Sequence, residues 1–216
     1  MFNQISATYD SVNRILSLGQ DQRWRKCVAK HLPLRPHLHI LDLATGTGDQ
    51  LIAVASIGRS IHRMVGLDLA DDMLAIARKK MPHLEFLHGD AENIPFPDKE
   101  FDAITFSFGI RNVEKPIQAL REMHRTLKPH GRALILEFSM PTSWIRPFFL
   151  FYLRNLLPRL GGFFSRNFAA YRYLNQTIES FPSGQAFVAL LREAGFSSIK
   201  TIPMNLGSVT LYVGDR

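Results

Sequence analysis

The chain holds a single cysteine, Cys27, in 216 residues. One thiol excludes an internal disulfide and suits a reducing cytosol. Cys27 follows the basic run Arg23-Trp24-Arg25-Lys26 and reads as a packed or idle thiol rather than a nucleophile. No secretory leader is visible, because residues 1–9 are polar and too short for its apolar core. Nor is there an apolar run fit to span a bilayer, which takes about 20 mostly apolar residues. The most apolar stretch, Trp144 to Phe164, is broken by Arg146, Pro147, Arg154, Pro158 and Arg159. Metal-ligand spacing is missing as well. His37 and His39 share one side of a strand start without a suitably placed third ligand, and no metal is expected. The formal charge of +7 invites an anionic partner. Its carriers are scattered, however, and Arg23–Lys26 and Arg78-Lys79-Lys80 lack the density of a polybasic arm. They read as a solvated basic face, and no nucleic acid is expected.

What is present is an ordinary globular composition, 46% hydrophobic and 21% charged, in one domain's length. Strand patterns fall at 38–43, 63–68, 84–87, 101–106, 131–138, 196–202 and 207–214. Helical patterns fall between them at 11–31, 49–58, 71–80, 114–127 and 184–194, with Pro129-His130-Gly131 as a turn. The run Ala133-Leu134-Ile135-Leu136 is apolar on both faces, which indicates a strand covered by helices on both sides of a parallel sheet. The expected fold is α/β: a Rossmann-like, seven-stranded, mostly parallel sheet with one antiparallel strand, as a single domain over 1–216. Residues 140–182 break the rhythm and read as a helical insertion between strands five and six, over the carboxyl edge of the sheet.

Open sheets of this kind bind ligands at the carboxyl ends of their strands. The first such end is Gly46-Thr47-Gly48, a glycine turn that lets backbone approach a nucleotide-like ligand. The third glycine of a dinucleotide fingerprint would fall at Leu51, so a pyrophosphate cradle and nicotinamide chemistry are disfavoured. A nucleoside without phosphates fits better, and S-adenosylmethionine is the expected cofactor. Asp68 closes the second strand about 20 residues on, the spacing for hydrogen bonds to ribose hydroxyls. Asp90 and Ala91 close the third, where a carboxylate and an amide suit an adenine amine and ring nitrogen. Ser107 closes the fourth. Singly each has a plain alternative: Asp68 a helix cap, Asp90 a turn, Ser107 a buried hydroxyl. In this order they point to a class I S-adenosylmethionine-dependent methyltransferase.

Several segments resemble the C-methyltransferases of menaquinone and ubiquinone biosynthesis. These are Tyr9-Asp10 with Asn13, Leu41-Asp42-Leu43-Ala44, Asp90-Ala91-Glu92 with Ile94-Pro95-Phe96-Pro97-Asp98, and Leu136-Glu137-Phe138-Ser139. Tyr171-Arg172-Tyr173-Leu174 and Phe181-Pro182 belong to the same pattern, and Ser107-Phe108-Gly109-Ile110-Arg111-Asn112-Val113 is its most specific piece. Thr45 departs from it, standing where a small Gly or Cys is more usual. The resemblance implies methyl transfer to a ring carbon of a polyprenyl quinol, demethylmenaquinol before a methoxy-benzoquinol. It also implies Arg111 steadying the developing oxyanion and Asn112 orienting the ring oxygen, with Tyr171 and Arg172 at a lid. The plain alternative for Arg111 is a surface salt bridge to Glu114. A non-catalytic cofactor-binding module is the rival from another class. Methylation of a nucleic-acid base is disfavoured, because no Asn/Asp-Pro-Pro-aromatic motif follows the fourth strand.

The resemblance also gives the stretch 144–164 a role. Phe148, Phe149, Phe151, Tyr152, Phe163 and Phe164 suit a groove for the tail or rest on a bilayer, with Arg146, Arg154, Arg159 and Arg166 meeting lipid phosphates. A lid packed on its own core, or a homodimer contact, fits that stretch equally. The expected location is cytoplasmic, with peripheral contact on the inner face of the membrane.

Overall fold

The computed structural model describes residues 6–141, 144–159 and 168–216; for 6–9 and 168–172 it describes the backbone alone. Seven strands form one sheet in the order β3-β2-β1-β4-β5-β7-β6. They are β1 (Leu38–Leu43), β2 (Ile61–Asp68), β3 (Glu85–His88), β4 (Phe101–Ser107), β5 (Leu127–Phe138), β6 (Ser197–Met204) and β7 (Val209–Asp215). The first five run parallel, and β7 is antiparallel to both β5 and β6. The expected sheet, with its single reversed strand, is the one observed. The chain winds outward from β1 to β3 and then returns to place β4 on the other side of β1. That reversal of strand order sits beside the glycine turn.

Helices cover both faces of the central strands. They are α1 (Ser6–Leu16), α2 (Gln20–Lys30), α3 (Asp49–Ala55), α4 (Asp71–Lys80) and α5 (Pro116–Thr126), then α6 (Arg146–Phe151), α7 (Phe168–Ser180) and α8 (Gln185–Glu193). Alternate residues of β1 divide between two cores. Leu38 and Ile40 pack with Trp24 and Val28 of α2, whereas Leu41 and Leu43 join Leu120 of α5 and Phe187 of α8. This two-sided burial explains why β4 is buried from end to end, its Asp102, Thr105 and Ser107 included. α4 opens on Asp71 and Asp72 and closes on Arg78, Lys79 and Lys80, as the helix dipole favours.

Two expectations need correction. Residues 11–31 are not one helix, because the chain turns left-handed at Leu18 (φ 52°) and Gly19 (φ 74°) between α1 and α2. Pro129-His130-Gly131 is not a turn between elements. It lies inside β5 as a bulge, where the pairing with β4 jumps from Phe101–Leu127 to Ala103–Arg132. His130 takes a positive φ of 61° there. Both features conserve the apolar phase on either side, which is why periodicity passed over the first and misplaced the second.

Between β5 and β6, α6 runs on into a π-helical turn, Tyr152–Leu156, and α7 follows after residues outside the description. Leu153, Leu157 and Ile178 form a small core with Val12 of α1, against which Phe138 also packs. The Tyr152 hydroxyl donates to the Leu16 carbonyl at 3.1 Å. α7 packs as well on the 3-10 turn Ile110–Asn112 that follows β4. The described part of the insertion thus packs on α1, on Phe138 of β5 and on the turn that follows β4.

Candidate active site

Parallel pairing sets four strand ends side by side. Leu43 pairs with Leu67 and with Phe106, Asp68 with His88, and Ser107 with Leu136. The loops continue this edge: Thr45 N–H donates to Leu67 O at 3.0 Å, and Gly89 N–H to Asp68 O at 3.0 Å. The glycine turn, Asp68, Asp90 and Ser107 thus lie along one rim.

At the turn, Gly46 has φ 56°, and a Cβ added there would meet nothing within 4 Å. Left-handed backbone with open space above it is a cradle that only glycine forms without strain. Asp68 braces that cradle. Its Oδ2 accepts from Gly46 N–H at 2.8 Å and its Oδ1 from Ala70 N–H at 2.8 Å. Asp68 is not the helix cap foreseen as the plain alternative, because Ala70 holds the N-cap position of α4 and no side chain caps it; the first bond ties Asp68 to the glycine turn. Burial raises the Asp68 pKa, and these amides oppose the rise. A carboxylate has about four acceptor positions, so both oxygens keep capacity for a ribose diol.

Asp90 Oδ1 accepts from Glu92 N–H at 2.9 Å, which closes a turn, and Oδ2 has no partner among the described residues. Ser107, 8% exposed, donates to Gln50 Oε1 at 3.0 Å, and Gln50 in turn donates to Arg25 O at 3.2 Å. Gly109 explains part of the Ser107–Val113 pattern. A Cβ there would lie 2.6 Å from Ala44 Cβ and 2.6 Å from the Phe106 ring. Only glycine lets the fourth strand end close on the first.

Arg111 does not reach Glu114. Its Nη1 donates to Glu137 Oε1 at 2.7 Å and to Phe108 O at 2.6 Å, and its guanidinium stands 5.4 Å from the Phe138 ring centroid. Both side chains of the pair are buried. Burial pushes the Glu137 pKa up, and the Arg111 charge holds it back. Arg111 Nε, Asn112 Oδ1 and Ser139 Oγ are buried and have no partner in the protein among the described residues. Buried polar atoms without partners are costly. A donor and an acceptor in adjacent residues, both at the strand edge, suit a polar ligand.

A family model described as the ubiE/COQ5 methyltransferase family matches residues 1–216. The chain belongs to that family. It is an S-adenosylmethionine-dependent methyltransferase. The demethylmenaquinone methyltransferase of Chlorobaculum tepidum is 42% identical over 99% of this chain and 89% of its own length. That of Thermus thermophilus is 41% identical and covers 100% of both. The ubiquinone/menaquinone biosynthesis C-methyltransferase UbiE of Citrifermentans bemidjiense is 40% identical over 100% of this chain and 94% of its own length. A solved SAM-dependent methyltransferase from Thermotoga maritima has the same fold, with a TM-score of 0.69 at 21% identity over 99% and 97% of the two chains.

The residues present fit the cofactor of this methyltransferase: an open glycine cradle, spare acceptor capacity on Asp68 and a free oxygen on Asp90. The structure also adds residues that sequence reasoning passed over. Asp42, 1% exposed, accepts from Thr45 Oγ1 and from Thr105 Oγ1, each at 2.6 Å, directly beneath the turn. Burial pushes its pKa up to about 6, although both hydroxyls oppose the rise. Glu137 and Gln50 are the buried partners of Arg111 and Ser107. A charged or amide residue inside an apolar run was the available signal for Asp42 and Glu137. Lys80, read as part of a solvated basic face, instead donates to Asp10, Thr47 and Asp49. Arg78 likewise donates to Phe86 O at 2.8 Å. The side chains of Tyr171 and Arg172 lie outside the description, as do Phe163, Phe164 and Arg166.

Proposed function

We propose that the protein methylates a ring carbon of a polyprenyl quinol, converting demethylmenaquinol to menaquinol. The observation that carries this reading is the full-length family match, with relatives at 41–42% identity named demethylmenaquinone methyltransferases. Relatives at 40% carry both quinones in their names, which favours a methoxy-benzoquinol as the second acceptor.

When bound, the cofactor supplies a methyl group already activated as a sulfonium. Alignment and activation of the acceptor fall to the protein. Gly46, Thr47 and Gly48 would cradle the cofactor where its amino-acid end passes over β1, Asp68 would accept from the ribose hydroxyls, Asp90 and Ala91 would meet the adenine edge, and Ser107 fixes Gln50 beside them. A quinol is a poor carbon nucleophile until it loses a phenolic proton, whose pKa is ordinarily about 10. Arg111 Nε is the donor left free to meet the oxyanion, and Asn112 Oδ1 the acceptor left free to orient the hydroxyl. Arginine stays protonated at all working pH values and stabilises charge rather than taking the proton. Glu137 fixes the guanidinium plane.

The apolar insertion supports a lipid-tailed substrate. Trp144, Phe148 and Phe151 are 78%, 68% and 60% exposed on one short segment. Among the described residues no helix is long and apolar enough to cross a membrane. Contact at the surface is the form of association proposed. Mass spectrometry of the quinone pool in a strain lacking the protein tests the reaction. Demethylmenaquinone should accumulate and menaquinone should return on complementation; an unchanged pool refutes the assignment.

A further inference from the structure

A charged network lies over the glycine turn, apart from the groups assigned to the ring chemistry. α1 packs against α2 and α4 and brings Asp10 across the turn. Asp10 Oδ1 accepts from Thr47 Oγ1 at 2.7 Å, and Asp10 Oδ2 accepts from Lys80 Nζ at 2.6 Å. Lys80 also donates to Asp49 Oδ1 at 2.7 Å and to Thr47 Oγ1 at 3.1 Å, which engages all the donors of its ammonium. Arg14 stands 3.9 Å from Asp49 but closer, 3.4 Å, to Asp21. Three carboxylates, Asp10, Asp49 and Asp21, thus meet two cations, Lys80 and Arg14, which leaves one negative charge in excess in this network. The side chains of Asp10, Lys80 and Asp49 are 31%, 27% and 19% exposed, so water does not fully screen them.

The strand order fixes which part of the cofactor meets this network. With ribose at Asp68 on β2 and adenine at Asp90 after β3, the nucleoside points outward along the edge. Its other end, the amino-acid portion, returns over β1 and the open space at Gly46. S-adenosylmethionine carries a sulfonium, an ammonium and a carboxylate, a net charge of one positive. We propose that Asp10 is a cofactor-binding residue, carried on α1 and positioned by Lys80, that accepts from the α-ammonium of the methionyl group. Each Asp10 oxygen accepts one hydrogen bond in the network and keeps room for a second. Asp49 is the less suitable acceptor, because its second oxygen already faces Arg14. The donation ties cofactor binding to the docking of α1 on α2 and α4.

This inference rests on the ribose assignment at Asp68, and calorimetry with three ligands separates the two. S-adenosylmethionine and S-adenosylhomocysteine both carry the amino-acid end; 5′-methylthioadenosine has the same nucleoside and lacks it. Asp10→Asn should weaken the first two about tenfold or more, the loss of a charge-assisted hydrogen bond, and leave 5′-methylthioadenosine unchanged. Asp68→Ala should weaken all three alike. Equal loss of all three in Asp10→Asn would reduce Asp10 to a support for α1 and overturn the proposal, as would unaltered binding of all three. If Asp10→Asn behaves as expected while Asp68→Ala changes nothing, the ribose assignment fails and the contact at Asp10 stands. A wild-type protein that binds none of them overturns both.

Discussion

Asp42 shows how one side chain can carry a pH dependence. In an unfolded chain its carboxyl ionises at its ordinary 3.8, whereas burial moves it to about 6 in the folded protein. The folded state thus binds the proton more tightly, and between these two values it holds more protons than the unfolded state. Stability falls as pH rises through that window and levels off above it. The gap of about 2 units corresponds to about 3 kcal/mol. Asp42→Asn has no such slope. Urea titrations from pH 4 to pH 7 should show the variant gaining about 3 kcal/mol relative to wild type, and parallel profiles would remove Asp42 as the cause. Arg111 lends itself to a similarly selective change. Truncating it would strand the Glu137 charge, at a cost of about 3–5 kcal/mol. Arg111→Lys keeps a cation beside Glu137 and deletes the planar Nε donor. Turnover should drop about tenfold or more while calorimetric affinity for S-adenosylmethionine stays level. Normal turnover would take Nε out of the mechanism.

Elements place these groups, and their legibility follows from range. Strand ends are local: a run of apolar residues stops, a glycine or carboxylate follows, and the parallel sheet aligns the stops. That is why the strand ends at Gly46, Asp68, Asp90 and Ser107 could be located in the sequence and are found side by side along one rim. Partnerships between elements are not local. Arg111 and Glu137 are 26 residues apart, Thr47 and Asp10 37, and Lys80 and Asp10 70. No window of periodicity spans them, so Lys80 looked like an idle surface charge. The α1–α2 break at Leu18 and Gly19 escaped for a related reason, since the apolar stripe resumes beyond it. One element-scale contact is directly testable. Gly109→Ala would press a methyl against Ala44 and Phe106 where β4 meets β1. Overpacking of this kind costs about 1–3 kcal/mol, which in a domain of this size lowers the melting temperature by about 2–4 °C per kcal/mol. Differential scanning calorimetry should register the drop, and an unchanged transition would show that the two strand ends separate freely.

At the scale of the whole molecule, the proposed cofactor rim and the proposed membrane contact fall in different regions. The cofactor rim belongs to the sheet, and the exposed aromatic residues belong to the insertion that rests on α1 and β5. Trp144 and Phe148 pack edge to face with centroids 6.3 Å apart, while staying largely open to solvent. Arg146 beside them is exposed. Nearby, a cleft of about 740 Å³ lined by Arg154, Pro158, Arg159, Asn175 and Glu179 shares no residue with the cofactor rim. Aromatic residues flanked by arginine fit the headgroup zone of a bilayer, where rings insert and guanidinium groups meet phosphate. A polyprenyl tail gains about 0.8 kcal/mol for each methylene kept out of water. A protein that works at the surface avoids extracting such a tail completely. Replacing Trp144, Phe148 and Phe151 together by serine should abolish co-sedimentation with vesicles containing anionic lipid. The same variant should methylate a short-tailed, water-soluble quinol at the wild-type rate and a long-tailed quinol in vesicles at a small fraction of it. Equal loss on both substrates would mean that the aromatic residues support the fold of the insertion, and full retention on both would leave the membrane without a contact here.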